Sequence, residues 1–179
     1  MLSIIGKPGA GKSTLIKRLL TTTLKGQFNY VFVMSPSADE YTKLVPELQM
    51  TSDFNIPWIT KMVNMVNVVS EASKKTHVNA LLVIDDSIAR VKEQDKKACV
   101  TKLFFNRRHM LWYGSLSIIL TSQKYTMIPA KYRSCITHLS MFGISPFDVD
   151  KIFMESIISY TKAQWKETIA KIYQAQYTN

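Results

Sequence analysis

Much of what marks a secreted, membrane-embedded or metal-stapled protein is missing from this chain of 179 residues. It has two cysteines, Cys99 and Cys135, far apart and in no metal-binding spacing. They fit free thiols in a reducing compartment rather than a disulfide scaffold. The histidines His77, His109 and His138 give no metal spacing with one another. No apolar run approaches the length of a bilayer span, and the most apolar stretch, "LLVIDD", is cut short by its own acids. Lys7 and Pro8 interrupt the early apolar stretch, so no signal peptide is expected. Repeats, low-complexity tracts and linkers are also lacking. Acidic residues are scarce, 13 against 23 lysines and arginines, which leaves a net charge of +10.

What is present reads as a globular chain. Hydrophobic residues at 46% and charged residues at 20% suffice for a core and argue against disorder. The length predicts one domain over residues 1–179, with a helical tail at 146–179.

The stretch "GKPGAGKST" satisfies G-x-x-x-x-G-K-[ST] through Gly6, Gly11, Lys12 and Ser13. A strand-like run, "LSII", precedes it, and a helical run with Leu15, Ile16, Leu19 and Leu20 follows, which is the context the motif requires. In such a loop the glycines let backbone N–H groups point at a phosphate, and the new helix adds its positive end. Gly6, Lys7, Pro8, Gly9, Ala10, Gly11, Lys12, Ser13 and Thr14 are therefore the expected nucleotide-binding residues. Lys12 would reach the β- and γ-phosphates of ATP, and the Ser13 hydroxyl would ligate Mg²⁺.

Short apolar runs alternate with helical patterns along the rest of the chain, predicting an α/β fold with a parallel sheet and covering helices. Strands are expected at 2–6, 30–35, 80–85, 117–121 and 136–141, each rich in Ile, Val or Leu as doubly covered strands should be. A helix is expected over 57–75, with Pro57 in its first turn and Met62, Val63, Val66 and Val69 as core. A second long helix is expected over 94–112, stopped by Gly114. "SPFDVDKIF" opens a helix with a Ser cap and Pro. A last helix, "SYTKAQWKETIAKIY", puts Ala163, Ile169 and Ile172 near one face, with Trp165 and Tyr173 as core or edge packing.

"NALLVIDDS" carries Asp85 and Asp86 to the carboxyl end of a buried strand, where ligands bind in such sheets. Asp85 is placed to hold Mg²⁺ through water, and Asp86 to act as general base on the attacking water. Two adjacent carboxylates repel without a cation, which argues for the metal. In "SIILTSQKY" an apolar strand ends in Thr121, Ser122 and Gln123, and the Gln123 amide suits contact with the γ-phosphate or orientation of water. "FFNRRHMLWYGS" holds Arg107 and Arg108, which would serve a neighbouring subunit as an arginine finger, pair with acids, or touch a nucleic-acid backbone. Arg133 is a further candidate finger. The surplus positive charge, in "KKT", "RVKEQDKK", "NRRH" and "KYTMIPAKYR", favours a nucleic-acid partner.

Together, "GKPGAGKST", "ALLVIDDS", "LFFNRRHMLWYGSLSIILTSQKYTMIPAKYRS" and the apolar strand after them resemble the poxvirus-type genome-packaging ATPases of the FtsK–HerA branch of P-loop motors. The resemblance spans residues 2–142. It implies a P-loop NTPase, RecA/ASCE-like, with strand order 5-1-4-3-2 and helices on both faces. It further implies a sensor role for Gln123, a finger role for Arg107 or Arg108, and a base at Asp86. The implied partners are double-stranded DNA, a homo-oligomeric ring and a viral capsid, with no membrane. The implied setting is the host cytoplasm, the viral factory or the virion. The chain begins at its first strand, so an accessory DNA-binding or capsid-docking segment is expected to be minimal, missing or placed after Pro146.

Two other readings share the phosphate loop. A small P-loop kinase would need an Arg-rich lid, and "MFGISPFDVDKIF" carries no arginine. A slowly hydrolysing nucleotide-dependent switch would need neither a strand-tip Gln nor paired arginines.

Overall fold

The computed structural model describes residues 1–73, 77–156 and 159–176. Strand β1 (Leu2–Gly6) leads through the phosphate loop into helix α1 (Lys12–Thr21), then β2 (Tyr30–Met34) and a two-residue strand β3 (Met50–Thr51). Next come α2 (Ile56–Ala72), β4 (Val78–Ile84), α3 (Ile88–Glu93) and α4 (Ala98–Phe105). β5 (Gly114–Ser122), α5 (Ala130–Arg133), β6 (His138–Phe142), α6 (Pro146–Ser156) and α7 (Lys162–Gln176) complete the chain. The six strands form one sheet in the order β3-β2-β4-β5-β1-β6, and every pairing is parallel. The five expected strands thus take the relative order the resemblance implied. β3, too short to carry a pattern, extends the edge beyond β2.

Parallel strands covered on both faces should be apolar on both, and these are. Successive residues of β1, β2 and β4 divide between two hydrophobic clusters. Ile5, Phe32, Met34, Leu82 and Ile84 face the side covered by α2, α4, α6 and α7. Ile4, Val33, Leu81 and Val83 face the side covered by α1 through Ile16, with Tyr41 and Val45 from the segment between β2 and β3. The second cluster is smaller, because α1 stands there with only that irregular segment to help it.

The long helices depart from expectation in informative ways. α2 is capped by the Asn55 side chain, which accepts from the Trp58 N–H at 3.0 Å, and Pro57 sits in its first turn. Met62, Val63 and Val66 are core, but Val69 points outward and Ser70 is buried in its place. Residues 74 and 75 of the expected helix, and the "KKT" cluster, lie outside the described residues.

The single helix expected over 94–112 is instead α4 and a tight turn at Arg107–His109, with α3 already ended at Glu93. Non-local partners satisfy the backbone at both breaks. Lys131 Nζ and Tyr132 Oη donate to the Asp95 carbonyl. Asn67 donates to the Met110 carbonyl at 3.1 Å and accepts from the Trp112 N–H at 2.9 Å. Buried backbone groups must be paired, and here tertiary partners pair them outside a helix.

Ser145 caps α6, its hydroxyl accepting from the Asp148 N–H at 3.1 Å and donating to the Asp148 carboxylate at 2.9 Å. In α7 the buried stripe is Trp165 and Ile169, four residues apart, whereas Ala163 and Ile172 are exposed. The Trp165 indole donates to the Val149 carbonyl at 3.0 Å, which ties α7 to α6.

Gly114 is a strand residue rather than a helix stop. It pairs with Val78, and a Cβ there would lie 1.7 Å from the Val78 carbonyl oxygen. Gly114→Ala should therefore force β4 and β5 apart at their amino ends and lower the unfolding free energy by about 3 kcal/mol or more, at the upper end of overpacking costs. Urea denaturation of the two proteins measures it, and an unchanged midpoint would show that the strands can part freely.

Candidate nucleotide site

The phosphate loop closes around Lys12. Gly9 and Gly11 take left-handed backbone angles, φ 74° and 92°, that other residues adopt only with strain. Gly11 is the N-cap of α1 and brings no side-chain cap, and the first turn of α1 has no acidic residue. The N–H groups there face the loop with the positive end of the helix dipole, a surface made for an anion. Lys12 is buried, and its ammonium donates to the Gly6 carbonyl at 2.8 Å and the Lys7 carbonyl at 3.0 Å.

β4 delivers Asp85 beside this loop. Its carboxylate is buried, and three hydroxyls donate to it. Ser13 Oγ lies 2.8 Å from Oδ2, Tyr41 Oη lies 2.7 Å from Oδ2, and Thr121 Oγ1 lies 2.8 Å from Oδ1. Burial pushes the Tyr41 phenol well above its usual range, and the Asp85 charge pushes it further the same way. Tyr41 therefore stays protonated and donates.

Asp86 is exposed, with φ 51°. A left-handed angle at a non-glycine residue costs about 1–2 kcal/mol. A bond from the Asp86 N–H to Thr121 Oγ1 at 2.8 Å helps hold it there. Thr121 thus accepts from one aspartate and donates to the other.

The sheet order β4-β5-β1 makes these elements neighbours. Ile84 pairs with Leu120 and Ile5 with Ser122, so Thr121 follows beside Asp85, and Gln123 emerges beside Gly6 where the loop starts. With adjacent strands about 4.8 Å apart, the tips of β4 and β1 lie about 10 Å apart. Gln123 is exposed at the third tip, between them.

The donor set suits Mg²⁺. Ser13 Oγ and Asp85 Oδ2 are hard oxygens already 2.8 Å apart, and Mg²⁺ is ordinarily held by one or two carboxylates plus phosphate oxygens and water. Among the described residues no group of three or more His, Cys, Asp and Glu forms a cage of another kind.

The arginines lie elsewhere. Arg107 and Arg108 line a cavity of about 540 Å³ at the amino ends of the strands, with Leu2, Ser115, Ser117 and His138. That is the opposite end of the sheet from the phosphate loop. Arg107 is buried and its Nη1 donates to the Phe104 carbonyl at 2.8 Å, while Arg108 is exposed. Arg133 pairs with Glu155 at 2.8 Å and lies 5.2 Å from the Tyr125 ring centroid. Its guanidinium is spent on holding α6. Cys99 and Cys135 are free, and no helix among the described residues is long and apolar enough to cross a membrane.

Sequence reasoning placed the loop and both aspartates but gave Tyr41 no role. Nothing local marks it, since it sits in a short turn after β2 and only the fold carries it beneath α1. Thr121 had a visible signal, as a hydroxyl near the buried end of an apolar strand.

A parallel sheet with a phosphate loop after its first strand, and an acidic strand tip two places away, defines the P-loop NTPase class. Residues 1–178 match the model of the poxvirus A32 protein family, and the chain belongs to that family. It is 33% identical over 147 residues to the uncharacterized protein 015R of Frog virus 3 (isolate Goorha), covering 79% of this chain and 43% of the relative. The chain thus spans less than half the length of that relative. The genome packaging NTPase B204 of Sulfolobus turreted icosahedral virus 2, in complex with ATP-gammaS, aligns at TM-score 0.65 and 19% identity over 93% of this chain and 85% of that one. B204 of Sulfolobus turreted icosahedral virus, a DNA-packaging ATPase, gives 0.64 and 20% over 87% and 82%. At such identities the likeness is one of fold.

The Thr121 relay can be tested without nucleotide. Thr121→Val keeps the shape but leaves the Asp86 N–H and one Asp85 oxygen short of a partner, so about 2 kcal/mol of stability should be lost. Thr121→Ser should lose much less. Equal unfolding midpoints for the two variants would mean the hydroxyl contributes nothing.

Proposed function

We propose that this chain hydrolyses ATP and uses it to move double-stranded DNA, as the motor that packages a viral genome into its capsid. The observation that carries the reading is the adjacency of three strand tips, bearing Lys12 with Ser13, Asp85 with Asp86, and Thr121 with Gln123. Family membership and the fold shared with the B204 packaging NTPases support it. In this reading the loop N–H groups and Lys12 bind the triphosphate, and Ser13 and Asp85 hold Mg²⁺, which supplies charge neutralisation on the phosphate oxygens. Asp86 accepts a proton from the attacking water as the water oxygen bonds to the γ-phosphorus and the bond to the β,γ-bridging oxygen breaks. Gln123 orients that water or senses the γ-phosphate.

Arg107 and Arg108 lie too far along the strands to reach their own loop. The exposed Arg108 is the better candidate to act on a neighbour's γ-phosphate, which requires a homo-oligomeric ring. A DNA-facing surface is suggested by lysines without carboxylate partners among the described residues. Lys61 and Lys97 line a groove of about 630 Å³ between the starts of α2 and α4, with Lys96 and Lys102 exposed nearby. Such charges bind a phosphate backbone without reading its sequence. A virion or viral-factory location follows from the same reading.

The test is ATP turnover with and without double-stranded DNA. Lys12→Ala should lower turnover about a hundredfold or more, and Asp86→Asn by a similar factor. DNA should raise the wild-type rate, and Lys61→Glu with Lys97→Glu should weaken that response and flatten its salt dependence. A monomer whose turnover ignores DNA would end the motor reading.

A further inference from the structure

We propose that Tyr41 is a positioning residue for the metal-holding carboxylate, fixing the plane of Asp85 so that Mg²⁺ joins a bound nucleotide at a prepared oxygen. The proposal rests on the nucleotide-site reading above and adds to it a residue that no P-loop motif contains.

The argument starts from the cost of burying a carboxylate. Asp85 is 2% exposed, and among the described residues no Lys, Arg or His lies within ion-pair distance of it. Its charge is offset by hydroxyl donors, and the three present differ in kind. Ser13 sits on the first turn of α1, at the loop itself, where its oxygen would turn to the metal. Thr121 belongs to β5 and holds Oδ1 from the sheet. Tyr41 also donates to Oδ2, at 2.7 Å, and it is the donor of the three left on that oxygen when Ser13 turns away.

Tyr41 is built to stay. It is fully buried within the cluster of Ile16, Val45, Leu81 and Val83. The Lys17 ammonium lies 5.5 Å from its ring centroid, and Lys17 pairs in turn with Glu40, the residue before Tyr41. The ring is clamped between α1 and the sheet, so its hydroxyl has little freedom to leave Asp85. Two fixed donors, one on each oxygen, define the carboxylate plane; one alone would let it swing.

Tyr41→Phe keeps the ring and removes the hydroxyl. ATPγS affinity in Mg²⁺ should fall about threefold to tenfold, as expected from losing one hydrogen bond to a charged group. Affinity in EDTA should not change, and the Mg²⁺ midpoint at fixed ATPγS should rise by the same factor. Equal losses with and without Mg²⁺ would show a merely structural tyrosine, and unchanged affinities would show an idle one. Either overturns the proposal. If wild type binds ATPγS with no response to Mg²⁺, the metal reading itself falls, and the tyrosine role with it. A wild-type measurement removes dependence on the variant's folding. The Tyr41 ring ¹³Cζ resonance should shift when Mg²⁺ is added to the ATPγS complex, and a resonance indifferent to Mg²⁺ would also count against it.

Discussion

A carboxylate has been taken out of water at the end of β4, and the fold around it is arranged to supply it with hydrogen-bond donors. Asp85 accepts from hydroxyls on three separate elements: Ser13 on α1, Tyr41 in the turn beyond β2, and Thr121 on β5. Each bond to a charged group contributes about 1.5–3 kcal/mol, and losing one partner from a buried carboxylate costs at least that. None of the three is near Asp85 in sequence. The bonds exist only if β5 lies between β4 and β1 and α1 packs back over the sheet. Topology and site are one constraint.

The same constraint gives the molecule two unlike ends. All six strands run parallel, so every strand-to-helix connection leaves from one edge, and the polar side chains of those connections collect there. The phosphate loop, both aspartates and Gln123 are at that edge. Arg107 and Arg108 are at the other, around a cavity formed where the returning connections enter the strands. The chain is so divided that a loop suited to an anion lies at one end and the exposed Arg108 guanidinium at the other.

The face covered by α1 shows how structure and site share material. One ten-residue helix cannot cover four strands, and the segment between β2 and β3 fills the remainder with Tyr41 and Val45. Burying the Tyr41 ring closes that face, and its hydroxyl, which must find a partner once buried, finds Asp85. Packing and carboxylate solvation are therefore met by one side chain.

The phosphate loop, the buried strands, the acidic tip at Asp85 and Asp86, and the Ser-Pro start of α6 could all be read directly, because each is a local pattern whose physical reason lies within a few residues. Residues 94–112 could not. Their helical pattern is real, but carbonyls and N–H groups at Asp95, Met110 and Trp112 are taken by Asn67, Lys131 and Tyr132, partners far away in sequence. β3 was too short to carry a pattern, and Gly114 looked like a stop because its constraint comes from Val78 across the sheet. The placement of Arg107 and Arg108 at the far end, and of Tyr41 on Asp85, follows from strand order and helix packing, which no local window contains. Chain-local chemistry settled which groups this protein has for handling a phosphate; the distance-dependent pairing of buried polar groups, which exists only after folding, decided which of them meet.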